Sequence, residues 1–124
     1  MRERSENTVM NKAYTFALRI IKLYRFLIDE KEFVLSKQIL RSGTAIGALI
    51  KEAEHAQSKA DFLNKMNIAL KEANETEYWL MLLKDSGYIE ESGFQSIHQD
   101  IVEVIKLLAS IVKSSKESLR IMES

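Results

Sequence analysis

Gln38-Ile-Leu-Arg-Ser-Gly-Thr-Ala-Ile-Gly-Ala-Leu-Ile-Lys-Glu-Ala-Glu-His-Ala-Gln-Ser58 reads as one amphipathic helix. Its apolar residues recur every three or four positions, the period of a single helix face. Gly43 and Gly47 lie four apart on that face. A glycine inside a helix costs about 1 kcal/mol relative to alanine. The pair therefore predicts close helix packing where no side chain fits. Arg41 and Glu52 bracket the glycines.

Working outward, the same period predicts an all-α chain. A first helix over 8–28 carries the stripe Val9, Ala13, Phe16, Ala17, Ile20, Leu23, Tyr24 and Leu27. The glycine helix spans 32–56, with Asp29 and Glu32 in capping-box spacing ahead of it. Ser58 and Asp61 form a second such box, which starts a helix over 59–86. Ser86-Gly87 supplies its glycine stop. Ser92 and Gln95 form a third box ahead of a helix over 93–114, beyond which the apolar pattern fades. No stretch alternates with period two, so no strand is expected. The short connections imply antiparallel neighbours, hence one up-down-up-down four-helix bundle domain.

Composition agrees and narrows the function classes. The chain of 124 residues has no proline, so nothing obliges a helix to break, and no cysteine, so disulfide and thiolate chemistry is excluded. The N-terminus lacks the apolar core of a signal peptide, and the longest apolar run falls short of a membrane span. A cytoplasmic protein is expected. Eighteen basic and eighteen acidic residues cancel, which argues against non-specific nucleic-acid binding. By segment, residues 1–30 sum to +2 (six basic, four acidic), 31–57 to +1 (four, three), 58–91 to −3 (four, seven) and 92–124 to 0 (four, four). No basic arm or acidic tail emerges.

Catalytic and metal chemistry find little footing. A di-iron bundle needs two Glu-x-x-His pairs and two further glutamates. Glu52-Ala-Glu-His55 matches once, but His98 follows Gln95 at that spacing, and the first helix has no glutamate on its stripe. His55 reads as a residue near a helix C-terminus, where an imidazolium is favourable. Glu75 and Glu77 flank Thr76 and diverge by roughly 200° on a helix. They cannot share a substrate atom, so one is expected to face the core or a neighbour and the other water. The glycines make no phosphate loop. No catalytic residue, cofactor or metal ligand is expected, and no small-molecule substrate is evident.

Interaction chemistry is richer. Arg41 lies beside the core face, where a guanidinium needs a carboxylate. Glu52, Glu75 and Glu77 are the candidate partners. Arg41 and Glu52 are roughly 16 Å apart along one helix, so each must reach another helix or subunit. Tyr78, Trp79 and Leu49 are candidate interface residues, because aromatic side chains beside a core seam often anchor partners. Lys12, Arg19 and Lys22 on the first helix, with Lys106, Lys113 and Arg120 on the fourth, are the candidate nucleic-acid face, two stripes that an up-down bundle places side by side.

Leu35-Ser-Lys-Gln-Ile-Leu-Arg-Ser-Gly-Thr-Ala-Ile-Gly-Ala48, Glu52-Ala, Ala56-Gln-Ser-Lys-Ala-Asp-Phe62 and Ile68-Ala-Leu-Lys-Glu-Ala-Asn-Glu-Thr-Glu-Tyr-Trp-Leu80 together resemble the bacterial four-helix bundle proteins called 23S rRNA intervening-sequence proteins. The likeness covers about residues 10–115. It implies a left-handed antiparallel bundle and a ring-like homo-oligomer, a pentamer, so the chain itself is the expected partner. Family genes were first noticed inside insertions of 23S ribosomal RNA genes. Related accessory proteins of diversity-generating retroelements are basic and bind nucleic acid and a reverse transcriptase. The family has no established catalytic residue. Arg41, Glu52, Glu75 and Glu77 fall on its recurrent polar positions, which implies a structural polar network. Leu49 departs from the asparagine usual ahead of the Ile-x-Glu step, and zero net charge departs from the basic retroelement branch.

Overall fold

The computed structural model describes residues 2–123, with side chains from residue 8 onward. Four helices follow in order: α1 (Arg2–Asp29), α2 (Leu35–Glu54), α3 (Lys59–Asp85) and α4 (Glu91–Glu123). No strand occurs among the described residues. Each helix packs on its two neighbours around a square, α4 returning to α1, and among the described residues neither diagonal pair of backbones comes close.

The helix ends show how local chemistry sets the connections. α1 closes with Lys31 in the left-handed region (φ 62°). Its N–H donates to Ile28 O (2.9 Å), and that of Glu32 donates to Leu27 O (2.8 Å), a Schellman closure formed without glycine. The expected Asp29–Glu32 box is absent. Instead the buried Glu32 carboxylate accepts the N–H groups of Ser36 (2.6 Å) and Val34 (3.3 Å), so α2 starts at 35 rather than 32. Ser58 Oγ accepts the Asp61 N–H (3.0 Å), while the Asp61 carboxylate takes the Gln57 N–H (3.3 Å). That is the second box, with its return bond shifted one residue upstream. Gly87 (φ 88°) ends α3 in a second Schellman closure, Tyr88 N–H donating to Leu83 O (2.9 Å).

α4 departs from expectation at both ends. The Phe94 N–H donates to Glu90 O (2.9 Å), which places Ser92 inside the first turn instead of at a cap. The helix also continues past 114 to Glu123. Residues 113–123 hold no glycine or proline and are largely good helix formers, and Arg120 pairs with Glu117 one turn earlier (2.9 Å).

Every helix contributes fully buried residues to one core, among them Phe16, Ile20, Ile39, Ile46, Met66, Leu80, Ile101 and Leu108. The two glycines of α2 play different parts there. A Cβ on Gly43 would stand 2.9 Å from Ile20 Cγ1 and 3.0 Å from Ile20 Cγ2, so α1 and α2 touch where only glycine fits. At Gly47 a Cβ would meet only Met10 Cε at 3.5 Å and Ala13 at 3.8 Å or more, ordinary contact that alanine could make. Close packing within the chain explains Gly43 and leaves Gly47 unexplained.

Candidate functional site

Neighbouring helices of a square bundle leave four outer grooves, and the charged residues divide them unequally. Across α2–α3, Arg41 pairs with Glu72 (3.1 Å) and with Glu75, whose Oε2 also accepts the Trp79 Nε1–H (3.1 Å). Lys65 meets Glu52 lower in the same groove (3.1 Å). Beneath these pairs the buried hydroxyls of Thr76 and Ser42 share a hydrogen bond (2.8 Å). Across α3–α4, His98 Nε2 lies 2.7 Å from Glu77 Oε2, and its ring stacks on Phe94 at 4.9 Å. Lys84 sits 4.7 Å over the same Phe94 ring and 3.7 Å from Glu91. Across α1–α4, Lys12 pairs with Glu103 (3.0 Å) and Arg19 with Asp100 (2.6 Å). Arg19 also donates to the Ser96 carbonyl and hydroxyl.

The α1–α2 groove differs. Among the described residues no ion pair bridges it. Its α1 lip is Met10, Tyr14, Ala17, Ile21, Tyr24 and Ile28, with Leu18 beside it. By helical rotation its α2 lip is Leu40, Thr44, buried Gly47 and the exposed Lys51 and Glu54. The Thr44 hydroxyl donates back to Leu40 O (2.7 Å), so the threonine offers its methyl group. Tyr14 and Leu18 remain 63% and 49% exposed, too much for residues serving only the chain's own core.

The sequence-derived residues are scattered over these features. Arg41, Glu52, Glu75 and Glu77 do not form one network. Glu75 joins Arg41, while Glu52 goes to Lys65 and Glu77 to His98. Glu75 and Glu77 both face neighbouring helices on opposite sides of buried Thr76, so neither is simply turned to water. The Arg41 side chain is half exposed (51%), not buried. Leu49 and Trp79 pack partly against the core, whereas Tyr78 is 54% exposed and stands edge-on to Trp79 at 5.2 Å. The two cationic stripes do not merge. Glu103 and Asp100 neutralise Lys12 and Arg19, and Arg120 pairs with Glu117. Lys106 is turned about 60° and Lys113 about 80° around α4 from Glu103, away from α1, and both are exposed, as is Lys22. His55 is the exposed C-cap of α2. Among the described residues no three His, Asp or Glu side chains converge as metal ligands.

Sequence reasoning missed Glu72, Asp100, Glu103 and the Ser42–Thr76 pair. Glu72 had a legible signal: it stands three residues before Glu75, so the two carboxylates share a helix face. Asp100 and Glu103 carry the same spacing.

The family model described as 23S rRNA-intervening sequence protein matches residues 5–110. Among solved structures, a protein of unknown function from the S23 ribosomal protein family of Bacteroides thetaiotaomicron VPI-5482 is 61% identical. The match covers 88% of this chain and 98% of that one, with a TM-score of 0.86. No curated protein matches.

Proposed function

The chain belongs to the 23S rRNA-intervening sequence protein family, and on that premise we propose that it works without catalysis, as a self-assembling helical building block of the cytoplasm. Copies associate into a closed ring, a pentamer by family resemblance, that serves as a scaffold for interaction. One observation carries the reading. The bundle satisfies its charges in three grooves, yet on α1 it leaves Tyr14 and Leu18, one turn apart, 63% and 49% exposed. Large apolar side chains grouped on a surface mark contact with another macromolecule. Among the described residues no helix is long and apolar enough to cross a membrane. The test is light scattering at micromolar concentration. A multiple of 14.3 kDa is expected, and a stable 14.3 kDa species overturns the reading.

A second reading, an accessory protein that touches nucleic acid through a basic surface made on assembly, rests on Lys22, Lys106 and Lys113. All three are exposed and none enters an ion pair among the described residues. Binding of this kind should be weak and steeply salt-dependent. An anisotropy titration with structured RNA that shows no binding at low salt removes it.

A further inference from the structure

We propose that a cavity in the α1–α4 seam, beside the connection from α3 to α4, binds a carboxylate carried on a compact apolar body. The inference is independent of the self-assembly reading and is tested without it.

The cavity opens where a side chain is missing from its wall. Ser96 and Asp100 mark the face of α4 that turns to α1, since both bond Arg19. Gly93 precedes Ser96 by three residues, so it lies on the same face one turn nearer the start of the helix. A Cβ there would meet no atom within 4 Å, so nothing in the chain requires the glycine. The space it leaves belongs to a cavity of about 340 Å³, lined by Arg19, Lys22, Leu23, Ile89, Gly93 and Ile97. That volume lies at the small end of the range for small-molecule pockets. It equals roughly eleven waters at ~30 Å³ each.

The lining divides into an apolar floor and a cationic rim. Ile97 is buried, while Leu23 and Ile89 are half-buried. Arg19 and Lys22 supply the rim from successive turns of α1, and no lining residue is a carboxylate. Two other surface cavities differ on this point. The one further along the same seam includes Asp100 and Glu103, and the one at α3–α4 includes Glu91. In a chain whose net charge is zero, a concave wall with two cations and no acid is a local excess of positive charge, which concentrates anions.

Both cations have capacity left. Asp100 and Ser96 engage Nη1 and Nη2 of Arg19 (2.6–3.2 Å), which fixes the plane of the guanidinium. Its Nε has no partner among the described residues. Lys22 is exposed and enters no ion pair among the described residues. Because Asp100 balances Arg19, Lys22 supplies the net charge, which matches a monocarboxylate and not a polyanion. The floor adds a demand for an apolar group, whose burial supplies the rest of the attraction. A free aromatic or branched acid has this chemistry, and so does the C-terminal residue of a peptide.

The experiment titrates the whole chain and follows its backbone amide shifts by NMR. Phenylacetate should move the amides of Leu23, Ile89, Gly93 and Ile97 with a Kd of about 1–10 mM, the range open to so small a ligand. Phenylacetamide has the same shape without the charge and should bind at least about fivefold more weakly. Gly93→Leu fills the cavity from an exposed position, so it should abolish the shifts without lowering Tm. Lys22→Gln should weaken binding about threefold, whereas Lys113→Gln, another exposed lysine, should leave it unchanged. A tripeptide ending in phenylalanine, with a free or an amidated C-terminus, separates the two sources. Tighter binding than phenylacetate, lost on amidation, assigns the cavity to a chain end, and weaker binding assigns it to a free acid. Equal binding of acid and amide, shifts that map elsewhere, or unchanged affinity in Gly93→Leu overturns the proposal. So does the absence of any shift at ~20 mM phenylacetate.

Discussion

The two glycines of α2 invite the sharpest test, because they look alike in sequence and differ in surroundings. Replacing either by alanine adds one methyl group and gains about 1 kcal/mol of helix propensity. At Gly43 that methyl would lie 2.9, 3.0 and 3.3 Å from Ile20 Cγ1, Cγ2 and Cβ. Ile20 is fully buried, and its branched β-carbon restricts rotation. The neighbour cannot turn aside, so α1 and α2 must separate. Overpacking of this kind costs about 1–3 kcal/mol, and Gly43→Ala should lose roughly 0–2 kcal/mol net. At Gly47 the nearest atom is the flexible end of Met10 at 3.5 Å, so Gly47→Ala should gain about 1 kcal/mol. The predicted separation of the two variants is thus about 1–3 kcal/mol. It corresponds to roughly 4 °C in Tm per kcal/mol for a domain of this size. Urea unfolding followed by circular dichroism, with Trp79 fluorescence as a second probe, measures both. The variants are compared at one low protein concentration so that association does not enter. Equal effects at the two positions would falsify the argument that Ile20 alone makes Gly43 obligatory.

Other expectations follow from the grooves and caps. Arg41→Ala should cost only about 1 kcal/mol, because the guanidinium is half exposed, and high salt should shrink the loss. A loss of 3 kcal/mol or more in urea unfolding would instead mark a buried pair. Removing one hydroxyl of the Ser42–Thr76 pair, by Thr76→Val, should cost about 1–3 kcal/mol by stranding the other. The double variant Ser42→Ala with Thr76→Val should recover part of that, and strict additivity in the cycle would contradict direct coupling. Burial raises the Glu32 carboxyl pKa, but the N–H groups of Ser36, Leu35 and Val34 outweigh burial and hold it below 4.5. A lowered folded pKa means that ionised Glu32 stabilises the fold above that value, with the contribution lost as pH falls through the folded pKa. Glu32→Gln should therefore be about 1 kcal/mol less stable at neutral pH, as for loss of a helix cap. Its unfolding curve should converge on wild type in acid, and a pH-independent gap would refute the capping role.

Periodicity alone determined the four helices, their order and most of the core, because each buried stripe repeats at the period of its own helix. Ser58 and Gly87 mark their boundaries legibly, since a side-chain cap and a left-handed glycine act within a few residues. The boundary at α2 was not legible in the same way: Glu32 caps across an irregular turn, and no fixed spacing announces it. The end of α4 was misjudged because loss of apolar pattern means loss of burial, while residues 113–123 remain good helix formers. Partner choice among the charges lay beyond sequence altogether. Whether Arg41 meets Glu72, Glu75 or Glu77 depends on the rotation and axial offset of α3 against α2, which packing of the whole core settles. Helix packing likewise turned Lys12 and Arg19 towards Glu103 and Asp100, dissolving a cationic band that two separate stripes suggest. The division between Gly43 and Gly47 has the same origin. A sequence records that a side chain is missing, but only the neighbouring helix decides whether anything stands in its place.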